Sequence, residues 1–145
     1  MVAELSIITL AQAIQQSVAP VFLLAGIGGI LNVLTGRLAR IIDRSRSLYQ
    51  RLEHVTDERE EGIREELRTL TRRGRVVHRA IGFSTGSALL VCLVIAMLFV
   101  NAVMGWHSDT PIAVLFILAM VCLIISLTGF LREIQLAPRV MLNGP

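Results

Sequence analysis

Apolar residues make up 54% of this 145-residue chain and charged residues only 17%, a balance more apolar than soluble domains ordinarily have. The net charge is +3, and all fourteen basic residues are arginine. Residues 83–104 and 111–131 contain no charge, which disfavours a soluble helical bundle because its buried helices usually keep a charged face. The arginines cluster beside apolar runs, where membrane topology and anionic lipid explain them, so no nucleic-acid partner is expected.

Residues 1–17 are mildly apolar and amphipathic, and they carry an acid where a signal peptide would carry basic residues. We therefore expect no removed signal, and we interpret 1–17 as an outer amphipathic segment. Ser17 is suited to cap a helix, and Pro20 is comfortable in a first helical turn. These residues predict a separate short helix with a break or kink at 17–20, although 1–17 could instead extend the first membrane helix outward.

Residues 18–36 are the first predicted membrane helix, since this uncharged run is long enough to cross a bilayer core at helical rise. Glycine is unfavourable inside a helix unless the close approach that it permits is used, so we expect helix-against-helix packing, within one chain or between copies. The helix-packing candidates are Ala25, Gly28, Gly82 and Gly86. Asn32 and Thr35 are expected to make interhelical hydrogen bonds, with a pore role as the alternative.

Residues 37–79 hold twelve arginines and eight acids, and their apolar positions recur at steps of three and four on both sides of a turn signal at 54–57. This pattern predicts a cytoplasmic, antiparallel, coiled-coil-like helical hairpin, contiguous with the membrane helices at both ends. Its predicted seam consists of Leu38, Ile41 or Ile42, Ser45, Leu48, Leu52 and Val55, and then of Ile63, Leu67, Leu70, Gly74, Val77 and Ile81. Surface ion pairs typical of a solvated stalk are predicted for Glu61 with Arg64 and Glu65 with Arg68.

The rest of the chain is interpreted as two further membrane helices, at 80–104 and 111–131, with an outer loop at 105–110 and a cytoplasmic tail at 132–145. Pro111 suits the first position of the third helix. The candidate cap residues there are Asp109 and Thr110, and Pro138 is expected to end the polar extension.

The loop and the cysteines carry no predicted chemistry. Trp106 suits the membrane interface. His107 and Asp109 have no further ligands near them in the sequence, so no metal site is expected. Cys92 and Cys122 lie mid-way along predicted membrane helices and are interpreted as buried small apolar residues, not as a disulfide framework.

Arginine also predicts the topology. Segment 37–79 has twelve arginines, whereas the loop 105–110 and the residues before Gly36 have none. By the positive-inside rule, the hairpin and the C-terminus are cytoplasmic, and the N-terminus and the loop lie outside. Three membrane crossings place the hairpin and the C-terminus on one side of the membrane and the N-terminus and the loop on the other, as the arginine distribution requires.

The segments APVFLLAGIGGILNVLTGRLARIIDR, RRGRVVHRAI and FLREIQLA together resemble the domain-of-unknown-function family 2721, a family of small bacterial membrane proteins. The resemblance covers the chain from about Leu10 to Arg139. It implies a multi-pass protein of the bacterial inner (cytoplasmic) membrane with no assigned activity. The family brings no catalytic residues, so none are carried over to this sequence.

Enzymatic function is not predicted, because the sequence has no phosphate-cradling glycine loop, no HExxH motif and no nucleophile elbow. No cofactor is expected. No carboxylate lies within a predicted span, which argues against a carboxylate proton relay, and three spans are too few for an inverted-repeat transporter acting alone.

Two functions are therefore weighed. The first is a homo-oligomeric channel in which one face of the first membrane helix lines a shared axis, with a polar outer mouth, a narrow apolar middle and a basic inner mouth. The candidate pore-lining residues are Gln12, Gln16, Ala19, Phe22, Gly26, Gly29, Val33, Gly36, Arg40 and Arg44. The second is a non-conducting scaffold or adaptor that binds a partner through the hairpin. In both, the expected surroundings are the lipid bilayer and anionic lipid headgroups near the cytoplasmic arginines.

Overall fold

The computed structural model describes residues 2–54, 57–105 and 109–136, with side chains at 7–54, 59–105 and 109–135, and this part of the chain is all-helical. Its three α-helices are α1 (Val2–Leu52), α2 (Asp57–Met104) and α3 (Asp109–Leu136). Each of them is long and apolar enough to cross a membrane. The predicted all-α class and the three long apolar helices are confirmed.

Helix α1 corrects the expectation of a break at 17–20, because it runs without interruption from Val2 to Leu52 with Pro20 inside it. Ser17 is not a cap: its hydroxyl donates to the backbone carbonyl of Ile14 at 2.8 Å, one turn earlier in the same helix. A proline removes one backbone hydrogen bond, and membrane helices tolerate this loss where side-chain hydroxyls and neighbouring helices satisfy the backbone. Of the two alternatives, the one that agrees with α1 is that the first predicted membrane helix continues through residues 1–17.

The helix ends lie close to the predicted turns. After α1, the backbone amide of His54 donates to the carbonyl of Arg51 at 3.1 Å, and α2 begins at Asp57. Gly105 follows the end of α2 with a φ of 66°, the left-handed conformation that commonly terminates helices and that glycine adopts without strain.

Helix α3 includes the predicted third span and the polar extension that follows it. It begins at Asp109, two residues before the expected start, and continues to Leu136, five residues past the expected end of the span. Asp109 and Thr110 are therefore both helical, and Pro111 lies in the first turn, where a missing amide hydrogen is tolerated. Several sequence predictions fall outside the described residues or side chains, namely those on Val55, Trp106, His107 and Pro138.

The chain divides into two compact units, each containing parts of all three helices. The first comprises Met1–Leu31 and Phe83–Ile124. Its core is the cluster of Ile27, Val91, Ala119 and Leu123, against which seven partly buried hydrophobic residues pack. The hydroxyl of Ser87, fully buried, donates to the backbone carbonyl of Ala119 at 2.8 Å, so α2 and α3 are joined here by a polar contact as well as by apolar packing.

The second unit comprises Asn32–Gly82 and Ile125–Pro145. The predicted seam residues whose side chains are described are all buried or half-buried in it, with Leu48 at 2% and Val77 at 0% exposure. The sequence left open whether Ile41 or Ile42 belongs to the seam. Ile41 is half-buried and Ile42 is 55% exposed, so Ile41 is the seam residue. The buried hydroxyl of Ser126 donates to the backbone carbonyl of Ala80 at 2.7 Å and links α3 to α2.

Candidate functional site

The predicted pore-lining face of α1 is exposed in the single chain. In the first unit, Gln12, Gln16, Ala19, Phe22, Gly26 and Gly29 are all exposed. Phe22 has 74% of its surface open, whereas Ile27, on another side of the same helix, is fully buried. The core of this unit therefore uses a different side of α1 from the candidate face.

In the second unit, the remaining candidates Val33, Gly36, Arg40 and Arg44 are also exposed, while Leu34 is fully buried. Arg44 differs from the others because its guanidinium donates two hydrogen bonds to one carboxylate oxygen of Glu66, at 3.0 and 2.8 Å. The positive charge of Arg44 is therefore offset within the chain. Arg40 forms no ion pair with the side chains that the structure describes.

The glycines of α1 make no close contact within the chain. A Cβ atom added to Gly26, Gly28, Gly29 or Gly36 would meet nothing within 4 Å outside the helix's own nearby backbone. The same holds for Gly82 and Gly86 of α2, and Ala25 is exposed. In the single chain, a side chain at these glycines would therefore meet no nearby atom with its first carbon, and the helix-packing role of these residues stays a prediction.

The polar residues on the inner half of the first span bond locally. The hydroxyl of Thr35 donates to the backbone carbonyl of Asn32 at 3.1 Å, a bond within α1 and not between helices. Both residues are exposed, and Thr35 has a further interaction of its own. This local bond is typical of a hydroxyl that competes for a nearby helix carbonyl.

An ion pair that sequence reasoning missed links α1 to α3 in the second unit. Arg37 Nη1 lies 3.1 Å from Glu133 Oε2, and the guanidinium carbon of Arg37 lies 4.9 Å from the centroid of the Phe130 ring. Glu133 is 8% exposed. The signal was an acid two residues after Leu131, the end of the predicted span, but the sequence does not name a partner 96 residues away.

The surface ion pairs differ in part from those predicted. Glu65 and Arg68 do pair, at 3.8 Å, whereas Arg64 pairs with Glu60 and not with Glu61. Glu60 lies four residues before Arg64, and an acid placed four residues N-terminal to its basic partner is the favoured helical arrangement. All these side chains lie in the arginine-rich part of α2.

Both cysteines are free, and neither is buried as the sequence predicted: Cys92 is exposed and Cys122 is half-buried. Among the described residues, no group of three or more histidine, cysteine or acidic side chains is placed to hold a metal ion. The features with functional potential are therefore the open face of α1 and the charged segments beside the spans.

A family model described as protein of unknown function, DUF2721, matches residues 17–142. The chain belongs to this family. The match covers most of the sequence and includes all three predicted spans, which confirms the resemblance seen in the sequence motifs. No curated protein and no solved structure matches the chain.

Proposed function

We propose that copies of this membrane protein surround a shared axis and form a channel lined by α1. The observation that carries the proposal is the open face of α1: all ten candidate pore-lining residues are exposed in the single chain, and its buried residues lie on another side of the helix. Symmetric assembly around an axis brings one such face from each copy to the centre.

The glycines support assembly between copies. Gly28 of α1, which belongs to the predicted helix-packing residues and not to the pore-lining set, is unfavourable for an isolated helix by about 0.5–1 kcal/mol relative to alanine, yet a Cβ added there would meet no neighbour within the chain. Small residues at membrane helix interfaces let backbones approach closely, and this close packing is a main source of helix association in lipid. A second copy is the partner whose α1 helix offers the same small residues.

The composition of the face supports conduction of anions. At the outer end of the face, Gln12 and Gln16 are polar, whereas Phe22 and Val33 farther along are apolar. An apolar constriction of this kind closes a channel when water leaves it. Because Glu66 offsets Arg44, the basic ring of the inner mouth is formed by Arg40, and a ring of arginines favours anions over cations.

The proposed arrangement places the arginine-rich hairpin in the cytoplasm with its two helices antiparallel. Two contacts support this direction: a Cβ on Gly74 would lie 3.5 Å from Ile41 Cγ2, and Arg44 pairs with Glu66. The residue number on α2 falls as the number on α1 rises, which is expected of antiparallel neighbours. The arginine distribution supports the cytoplasmic side.

The first test is the mass of the purified full-length protein in lipid nanodiscs, measured by native mass spectrometry. We expect a single closed stoichiometry of about four or more copies, because fewer helices leave no room for an axial pathway. A monomer would overturn the channel proposal.

The second test uses two matched cysteine variants in a background with Cys92→Ala and Cys122→Ala. Val33 and Ile124 are equally exposed, at 54% each, but only Val33 belongs to the candidate pore face. We expect a charged, water-soluble thiol reagent to reduce the conductance of the Val33→Cys channel by at least about twofold and to leave the Ile124→Cys channel unchanged. Equal effects on the two variants would contradict an axis lined by α1.

A scaffold that binds a partner through the hairpin is the second candidate. Ile42 and Tyr49 favour it, since they are 55% and 61% exposed on one face of the polar part of α1. The mass measurement separates the two functions, because a scaffold would be recovered with a different protein and would not conduct.

A further inference from the structure

Charge is unevenly distributed along the arginine-rich part of the chain. Residues 43–68 contain all eight acids of the predicted hairpin together with six arginines. Residues 69–82, which lead into the apolar run of α2, contain four arginines and no acid. The excess of positive charge is therefore concentrated next to the span.

Three of these arginines form a stripe along α2. Arg72, Arg75 and Arg79 follow one another at steps of three and four, so they share one face of the helix. All three are exposed. The seam side of the same turns is packed, because Val77 is fully buried and a Cβ added to Gly74 would lie 3.5 Å from Ile41 Cγ2, so the stripe points away from α1.

The stripe lacks the acidic partners that neighbouring arginines have. Arg64 and Arg68 pair with Glu60 and Glu65 on α2. No acid lies three or four residues from any member of the stripe, and none of its members forms an ion pair with the side chains that the structure describes. Three guanidinium groups are therefore left available for an external anion.

The position of the stripe indicates which anion that is. Arg79 directly precedes the charge-free run that begins at Ala80, and at helical rise Arg72 lies only about 12 Å from that point along the helix axis. With their long side chains, all three arginines reach the headgroup layer of a bilayer that α2 crosses. Guanidinium groups donate paired hydrogen bonds to phosphate oxygens, and the surface potential of an anionic leaflet attracts basic residues at this range.

We propose that Arg72, Arg75 and Arg79 form a binding surface for the phosphate groups of anionic phospholipids in the protein's own membrane. This surface requires α2 to be a membrane span, but it does not require a channel. It exists on each chain separately, so a monomeric protein has it as fully as an oligomer does.

The test is a lipid titration of the full-length protein in a neutral detergent, with bound lipid counted per chain by native mass spectrometry. The probes are a phosphatidylglycerol and a phosphatidylcholine with identical acyl chains. Since each arginine near an anionic surface contributes about fivefold in affinity, we expect at least tenfold tighter binding of phosphatidylglycerol. The triple variant Arg72→Gln, Arg75→Gln, Arg79→Gln should lose this preference.

The matched control is the triple variant Arg59→Gln, Arg64→Gln, Arg68→Gln, which removes the same charge from the same helix farther from the span. It should keep the preference, and helical content by circular dichroism verifies that both variants fold. The triple variant Arg72→Lys, Arg75→Lys, Arg79→Lys keeps the charge and should retain most of the binding. Equal binding of the two lipids by the unmodified protein, equal losses in the two glutamine variants, or tighter binding of a short RNA than of phosphatidylglycerol would overturn the proposal.

Discussion

Glu133 shows why single residues of this protein have unequal importance. A carboxylate removed from water is unfavourable unless a cation or hydrogen-bond donor compensates it. Glu133 is 8% exposed and meets this requirement through Arg37, whose guanidinium also stacks over Phe130. Arg44 and Glu66 form the same chemical pair but are 50% and 44% exposed, so water and salt screen their attraction.

This difference in burial predicts unequal effects of removing the two arginines. Arg37→Gln leaves a buried carboxylate without its cation and should destabilise the fold by about 1–3 kcal/mol. Arg44→Gln should cost less than about 1 kcal/mol, as for exposed pairs. The measurement is the free energy of unfolding in mixed detergent micelles, and equal losses would mean that Glu133 is solvated in the protein.

At the scale of elements, the residues that spacing alone placed on a seam between α1 and α2 are buried or half-buried wherever their side chains are described, apart from Ile42. The one choice left open by spacing was between Ile41 and Ile42, which are adjacent and equally apolar. The structure selects Ile41, because it lies against Gly74 of α2. The spacing of apolar residues shows that a helix has a buried face. Which of two adjacent residues lies on that face depends on the side chains of the partner helix.

The seam predicts how Gly74 tolerates larger side chains. A Cβ there would lie 3.5 Å from Ile41 Cγ2, an ordinary van der Waals distance. Gly74→Ala should therefore stabilise the helix by about 0.5–1 kcal/mol, whereas Gly74→Leu should destabilise it by about 1–3 kcal/mol through overpacking. Gly62 has no neighbour within 4 Å, so Gly62→Leu is the control. Thermal unfolding monitored by circular dichroism ranks the variants, and a tolerated leucine at 74 would contradict the seam.

At the scale of the whole molecule, the arginine distribution predicts the orientation in the membrane. Glu61 lies in the arginine-rich segment, and Asp109 begins α3 after the arginine-free loop. In a background with Cys92→Ala and Cys122→Ala, Asp109→Cys should react with a membrane-impermeant thiol reagent applied outside intact cells. Glu61→Cys should react only after the cells are opened. The reverse pattern would place the hairpin outside.

The sequence by itself determined the helical class, the three long apolar helices and the family of this protein. These features depend on hydropathy and periodicity, which are properties of contiguous residues. At Pro20 the sequence predicted a separate short helix followed by a break or kink, whereas α1 is one helix from Val2 to Leu52. The rules behind that prediction describe a helix backbone in water. In packed membrane helices, neighbouring helices and side-chain hydroxyls satisfy the backbone groups that proline leaves without a hydrogen bond.

Only the tertiary structure decided which residues meet across the chain. It paired Glu133 with Arg37, left Ile42 exposed, and left space within 4 Å of a Cβ added to any glycine of α1. The physical reason is that these contacts depend on the relative rotation and depth of helices far apart in the sequence. Local spacing predicts which residues of a helix share a face. The burial that makes one ion pair more stabilising than another arises only when the helices pack together.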